Sequence, residues 1–253
     1  MPEPLYRIEK LWKRFPDGTE ALKNITLELS EGACILIAGS NGSGKTLLMK
    51  SLVGLVEPSG GTIFYRGKPL KDVIGQVRQS VGLVFQDADA QIIGETVADD
   101  VAFGPKNLGM RGRSLSSKVD EILRSLELYA KKDAPPRRLS GGEKRRLAVA
   151  GILAMGGSTV IMDEPFANLD YPGIVQVLQL IYRLKEEQKT VIVLTHELEK
   201  MLGLADRLII LHRGCICDDG KPELVLDRLK PEYGIRDPRH SYASVQDCTW
   251  LDR

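Results

Sequence analysis

Gly39-Ser-Asn-Gly-Ser-Gly-Lys45-Thr46 is the segment whose residue types and spacing most directly imply chemistry. It fits the pattern G-x-x-x-x-G-K-[ST]. Gly39, Gly42 and Gly44 let successive backbone N–H groups, those of Ser40, Asn41 and Ser43 among them, turn inward around phosphate oxygens. A helix opening at the end of the loop adds the positive end of its dipole. Lys45 reaches the outer phosphates of ATP, and Thr46 offers a hydroxyl to Mg²⁺. The apolar run Cys34–Ala38 before the loop and the amphipathic residues 47–53 after it supply the strand–loop–helix setting that such a loop needs. A Gly-rich turn without function would need neither the lysine nor that setting.

A second candidate is Thr159-Val-Ile-Met-Asp163-Glu164, an apolar run that ends in two acids. Acids at the C-terminal end of a strand lie on the ligand side of an open α/β sheet. Asp163 is expected to hold Mg²⁺, directly or through water, and Glu164 to act as general base on the attacking water. Alone this pattern is weak, since a solvated strand end reads the same way. The phosphate loop upstream is what gives it weight.

These residues must be positioned by a sheet. Short β-rich runs recur at Cys34–Ala38 and at residues 81–85, 159–162, 191–194 and 208–211. Each is continuously apolar, as in strands buried on both faces of a parallel sheet. Between them, Val119, Ile122, Leu123 and Leu126 fall on one helical face, as do Ile174, Val177, Leu178 and Ile181, with Pro172 near a helix start. The alternation predicts an α/β fold with a mostly parallel sheet. Ile25, Leu27 and Leu29 alternate with polar residues, as in a half-exposed antiparallel strand, and residues 62–65, after a turn-rich stretch, read as another. Residues 87–145 carry few strand signals and read as a helical insertion.

Composition excludes several classes. The 253 residues carry 35 basic and 34 acidic side chains, so no global charge points to nucleic acid. Four cysteines are too few for a disulfide scaffold, and the C-x-C pair Cys215 and Cys217 lacks the other ligands of a structural zinc site. No run approaches the ~20 apolar residues of a membrane span, and the N-terminal stretch lacks a signal-peptide pattern, so a reducing cytoplasm is expected. Lys131-Lys132 and Arg137-Arg138 read as a solvated basic face.

Leu139-Ser-Gly-Gly-Glu143 stands upstream of the acidic pair, Gln86 follows one predicted strand and His196 another. Phosphate loop, Gln loop, LSGG-type motif, acidic strand end and His, in that order, resemble the ATP-binding cassette (ABC) superfamily over residues 5–220 or so. Ser140 could otherwise simply cap a helix over residues 143–153. The resemblance implies a P-loop ATPase core with a mostly parallel sheet, an N-terminal antiparallel β-subdomain and a helical subdomain. The ABC ATPase domain is then expected over residues 1–229, with the helical subdomain at about 87–145 and a tail of unread role at 230–253. It also implies a head-to-tail pair of ATPase subunits. Each ATP would lie between one phosphate loop and the other subunit's Ser140, Gly141, Gly142 and Glu143, with Asp170 nearby. By the same resemblance Gln86 touches Mg²⁺ or the water, His196 bonds the γ-phosphate, and Phe15 stacks on adenine, with Tyr6 and Trp12 as competitors. Leu47, Glu143 and Ala167-Asn168 depart from common family residues without removing a group the chemistry requires.

Residues 86–110 are similar to the segment after the Gln loop in energy-coupling factor (ECF) importers, which take up vitamins and transition-metal ions; Asp89-Ala-Gln91, Asp99-Asp100 and Ala102-Phe103-Gly104 carry the likeness. This implies a transmembrane transport subunit as partner and a peripheral place on the cytoplasmic face of the membrane. Residues 87–104 are the expected docking surface, with apolar contacts from Ile92, Ile93 and Val97. Charge reversal at Asp99 and Asp100 is expected to weaken docking and leave the fold intact. Rival readings are another ABC transporter class, a non-transport ABC protein and a simple P-loop kinase, which would not need LSGG. The transported substrate, and homodimer against heterodimer, are not legible in the sequence.

Overall fold

The computed structural model describes residues 3–239. The chain opens with a long hairpin, β1 (Tyr6–Arg14) and β2 (Glu20–Leu29). In β2, Ile25, Leu27 and Leu29 point inward in alternation, as their spacing predicted. Next, β3 (Cys34–Ala38) enters a second sheet and delivers the chain into the phosphate loop and α1 (Lys45–Leu52). β4 (Gly60–Tyr65) returns to the first sheet beside β1, and short β5 (Lys68–Pro69) completes it in the order β2-β1-β4-β5, all antiparallel.

Helix α2 (Leu70–Ser80) leads to β6 (Val81–Val84), at one edge of the second sheet. Among the described residues no strand follows until Thr159. The interval holds α3 (Val97–Asn107), α4 (Gly112–Ser125), α5 (Gly141–Ala154) and short 3₁₀ turns. The helical character expected for residues 87–145 is therefore present, but α5 runs on to Ala154 and returns the chain to the sheet. Then come β7 (Thr159–Asp163), α6 (Tyr171–Glu186), β8 (Thr190–Thr195), β9 (Arg207–His212), β10 (Cys215–Gly220) and α7 (Pro222–Leu226). The second sheet has the order β10-β9-β3-β8-β7-β6, parallel except for β10.

All five residues of β3, all five of β7 and all six of β8 are buried. Side chains alternate across a strand, so the sheet feeds two cores. Cys34, Leu36 and Ala38 join the core beneath α3 to α6, whereas Ile35 and Ile37 join the one shared with the antiparallel sheet and α1. A continuous apolar run is what burial on both faces requires. The register aligns the strand ends. Ala38 lies opposite Thr195, and Asp163 opposite Leu194. The phosphate loop, the Asp163-Glu164 pair and Thr195-His196 thus leave the same edge on adjacent strands, about 4.8 Å apart.

The segment Pro231–Tyr233 packs back onto this domain, with Tyr233 and, just beyond it, Ile235 buried. The last part of the predicted tail, residues 240–253, lies outside the described residues, as does Cys248. The expected solvated basic face is partly tied down: Lys131 pairs with Glu143 at 2.6 Å and Lys132 lies 3.6 Å from Asp120.

Candidate active site

Between β3 and α1 the loop turns through Gly42 and Gly44, whose φ angles of 79° and 108° suit glycine. Gly39 is fixed by proximity instead, since a Cβ there would stand 2.2 Å from the carbonyl oxygen of Leu211. Ser43 donates its N–H to the Ser40 carbonyl at 3.1 Å and closes the loop. Asn41 and Gly42 are exposed at its tip.

Lys45 is buried with its ammonium inside this turn. It donates to the carbonyls of Gly39 at 2.7 Å and Ser40 at 3.3 Å, and stands 3.4 Å from a Glu164 carboxylate oxygen. Thr46 donates its hydroxyl to Asp163 Oδ2 at 2.6 Å. The other oxygen of Asp163 is buried without a hydrogen bond. Burial pushes the Asp163 pKa up, the charge of Glu164 adds to this, and the Thr46 hydroxyl and the Lys45 charge oppose it. An orphaned oxygen on a carboxylate that is costly to ionise suits a divalent cation, whose charge would stabilise the ionised form.

Glu164 is also buried and sits at φ 45°, an uncommon conformation for a residue with a side chain. Its own N–H bonds the Leu194 carbonyl at 2.8 Å, which over-determines the turn. The carboxylate accepts from the Thr195 hydroxyl at 2.9 Å and lies 3.1 Å from His196 Nδ1. Held by a hydroxyl, an imidazole and an ammonium, it can take a proton from a water placed beside the outer phosphate. Four of the predicted elements therefore meet here: the phosphate loop, Asp163, Glu164 and His196.

The remaining predicted residues are engaged elsewhere in the single chain. Ser140 caps α5, accepting from the Glu143 N–H at 3.3 Å, while Glu143 Oε2 accepts from the Ser140 N–H at 2.9 Å. Gly141 and Gly142 are closely approached: a Cβ would stand 2.5 Å from a methyl of Leu169 in the first case and 2.7 Å from the Gln176 amide oxygen in the second, so those side chains would have to shift. Asp170 caps α6 by accepting from the Gly173 N–H at 3.0 Å. Phe15 stands 40% exposed in a turn closed by Thr19, close to Lys13, and Trp12 is 38% exposed. Tyr6, fully buried against Tyr65, is withdrawn as an adenine platform because its ring already faces the inter-sheet core.

Two residues escaped the sequence reading. Thr195 orients Glu164, and only its place before His196 could have flagged it. Arg145, on α5, is 5% exposed and ties three segments together. It donates to the carbonyls of Ala167 at 2.7 Å, Gln86 at 3.3 Å and Gly141 at 3.4 Å. A cleft of about 380 Å³ lies at this junction, lined by Gln86, Gly141, Lys144, Arg145, Ala167 and Asn168 among others.

Residues 22–167 match the family described as ABC transporter. An energy-coupling factor transporter ATP-binding protein of Methanocaldococcus jannaschii is 38% identical over 218 residues, which cover 85% of this chain and 78% of that protein. This chain belongs to the ABC transporter ATPases, among the energy-coupling factor ATP-binding proteins. A second such protein, from Carboxydothermus hydrogenoformans, is 38% identical over 233 residues, 91% of this chain and 86% of the relative. The solved structure of cbiO1 from Clostridium perfringens, part of the ABC transporter complex cbiONQ, superposes with a TM-score of 0.83 at 32% identity, covering 91% of this chain and 92% of that one. The energy-coupling factor ATPase described here is thus an ATP-hydrolysing transporter subunit, and the α/β architecture expected from its sequence is the one it adopts.

Proposed function

We propose that this ATPase works with Mg²⁺ as one half of a head-to-tail ATPase pair and drives uptake of a vitamin or transition-metal ion through a transmembrane subunit, held peripherally at the cytoplasmic face. The observation that carries the catalytic part is the meeting of buried Lys45, Asp163 and Glu164 with the exposed Thr46 and His196 at one sheet edge. Thr46 and Asp163 would hold Mg²⁺, with Gln86 as a further ligand, and the ion would neutralise charge on the phosphate oxygens. The loop N–H groups and Lys45 bind and orient the phosphates. Glu164 receives the proton of the attacking water, while Thr195 and His196 hold its carboxylate. Ser140 and Asp170, each at an exposed helix start, would serve a second subunit's nucleotide.

An apolar groove of about 450 Å³ supports docking of a membrane subunit. Ile92, Ile93, Phe103, Leu108 and Met155 line it, and Ile93, Phe103 and Leu108 are each about half exposed. Two expectations need correction. Val97 is fully buried and belongs to the core, so it offers no contact. Asp100 is not a free acid: its Oδ1 accepts from the N–H groups of Ile93 at 2.8 Å and Gly94 at 2.9 Å. Reversing its charge would unfasten the segment rather than leave the fold intact. Asp99 accepts from the Thr96 hydroxyl at the start of α3, and Asp89 pairs with Lys144.

The informative variant is therefore Ile93→Asp with Phe103→Asp. Full burial of such a side chain is worth ~1.5–3 kcal/mol, so the pair should cost at least tenfold in affinity. The tagged chain, purified from detergent-solubilised membranes, should bring a polytopic membrane protein that the double variant loses, with ATP hydrolysis of the free chain retained. Equal recovery by the variant would remove the groove from the interface. Recovery of ribosomes or DNA in place of a membrane protein would sink the transport reading.

A further inference from the structure

The phosphate loop is held from outside by three walls. The turn between β9 and β10 is one: Gly214 donates its N–H to the Ser43 carbonyl at 2.9 Å, and its own carbonyl accepts from Lys23 at 2.8 Å. The start of β2 is another, since a Cβ on Gly44 would stand 2.9 Å from the Ala21 carbonyl. The third comes from the far end of the chain. Gly234, at φ 65°, lies beside Ser40, and a Cβ on it would lie 3.2 Å from the Cβ of Ser40 and 3.7 Å from its hydroxyl. That is closer than two carbons pack at their optimum of roughly 3.5–4.0 Å.

Gly234 is itself fastened. Its N–H closes the turn Pro231–Tyr233 onto the Pro231 carbonyl at 3.0 Å. The buried ring of Tyr233 packs on His212 of β9 with centroids 5.7 Å apart, and Ile235 is buried beyond it. β9 also carries Leu211, whose carbonyl abuts Gly39. The turn and the loop therefore share one support. Ser40 is the consequential contact, because its carbonyl takes both the Ser43 N–H that closes the loop and the ammonium of Lys45.

From this arrangement we infer that the turn of Pro231–Tyr233 and Gly234 is a positioning element for ATP. It holds Ser40 in place, and through Ser40 the charge of Lys45, so the C-terminal segment sets nucleotide affinity. The inference rests on the reading of the Gly39–Thr46 loop as the phosphate site. A glycine needed only for its backbone angle would make a different prediction, and asparagine separates the two because it tolerates the left-handed region.

The test is the Kd of the full chain for ATP with Mg²⁺, by calorimetry, in a double-mutant cycle. Gly234→Asn should weaken binding about five- to tenfold in the wild-type background, and less than about twofold once Ser40→Gly has removed the side chain it pushes against. An equal loss in both backgrounds, or no loss, overturns the proposal. Tyr233→Ala, which frees the turn from His212 without adding bulk, should also weaken binding; an unchanged Kd counts against the proposal even if Gly234→Asn fails to fold. Lys45→Ala is the reference. If it leaves the Kd unchanged, the phosphate-site reading itself fails. If it weakens binding while Gly234→Asn and Tyr233→Ala do not, only the role of the turn is lost.

Discussion

Glu164→Gln separates binding from turnover. The carboxylate stands 3.4 Å from the Lys45 ammonium, and both side chains are about nine-tenths buried. At an effective dielectric near 20 that spacing corresponds to a gross attraction of ~5 kcal/mol, much of it cancelled by desolvation. Glutamine keeps the shape and a partner for Thr195, but removes the charge and the basicity. Lys45 retains the carbonyls of Gly39 and Ser40, so it is not stranded, and its charge becomes available to phosphate undivided. ATP affinity should therefore hold or rise. Turnover should fall by roughly 10²–10⁴, the usual contribution of one general base, or ~2.7–5.5 kcal/mol in the barrier. Phosphate release reads the rate and calorimetry the affinity. Hydrolysis within threefold of wild type would refute the role of Glu164 as base, whatever happened to binding.

The same variant tests assembly: with ATP and Mg²⁺, light scattering should report a mass twice that of the free chain, and a monomer under both conditions argues against self-pairing. Asp163→Asn should raise the melting temperature of the nucleotide-free protein at pH 7 while abolishing Mg²⁺-dependent hydrolysis. Burial raises the folded pKa of Asp163, so its ionised form costs stability; the gain from asparagine should shrink as pH falls through that raised pKa and vanish below the unfolded value of ~3.9, and a lower melting point at pH 7 would contradict it. Arg145→Met fits the buried space but releases Gln86 and Ala167. Ala167 is hydrogen-bonded to the Glu164 carbonyl at 3.1 Å, so turnover should drop at least ~10-fold with ATP affinity retained, and wild-type turnover would make Arg145 a packing residue only.

The sequence revealed those parts whose physics is local. The phosphate loop needs glycines and one lysine in consecutive order, and strands buried on both faces need unbroken apolar runs, so β3, β7, β8 and β9 were legible. β1 and β10 were not. β1 alternates charged and apolar residues in a half-exposed hairpin, and β10 reads Cys-Ile-Cys-Asp-Asp-Gly, which carries no strand signal until β9 supplies the ladder. Arg145 was hidden for a different reason. A charged residue on a helix reads as surface, and only the three carbonyls that converge on it show why it is buried. Asp100 was misread in the same way: the N–H groups it holds lie earlier in the chain, in a loop whose path no pattern discloses.

The shared sheet also sets which amides resist exchange with solvent. Ile35 and Ile37 belong to one core and Leu36 and Ala38 to the other, so no opening that spares either core can release the backbone of β3. Its amide protons should exchange only through global unfolding. Helices α3 and α4 lean on one core alone, so an opening confined to them leaves Ile35 and Ile37 packed in the other and should expose their own amides first. Hydrogen exchange should therefore be slower in β3, beneath the phosphate loop, than in α4 and in α3, which carries part of the apolar groove.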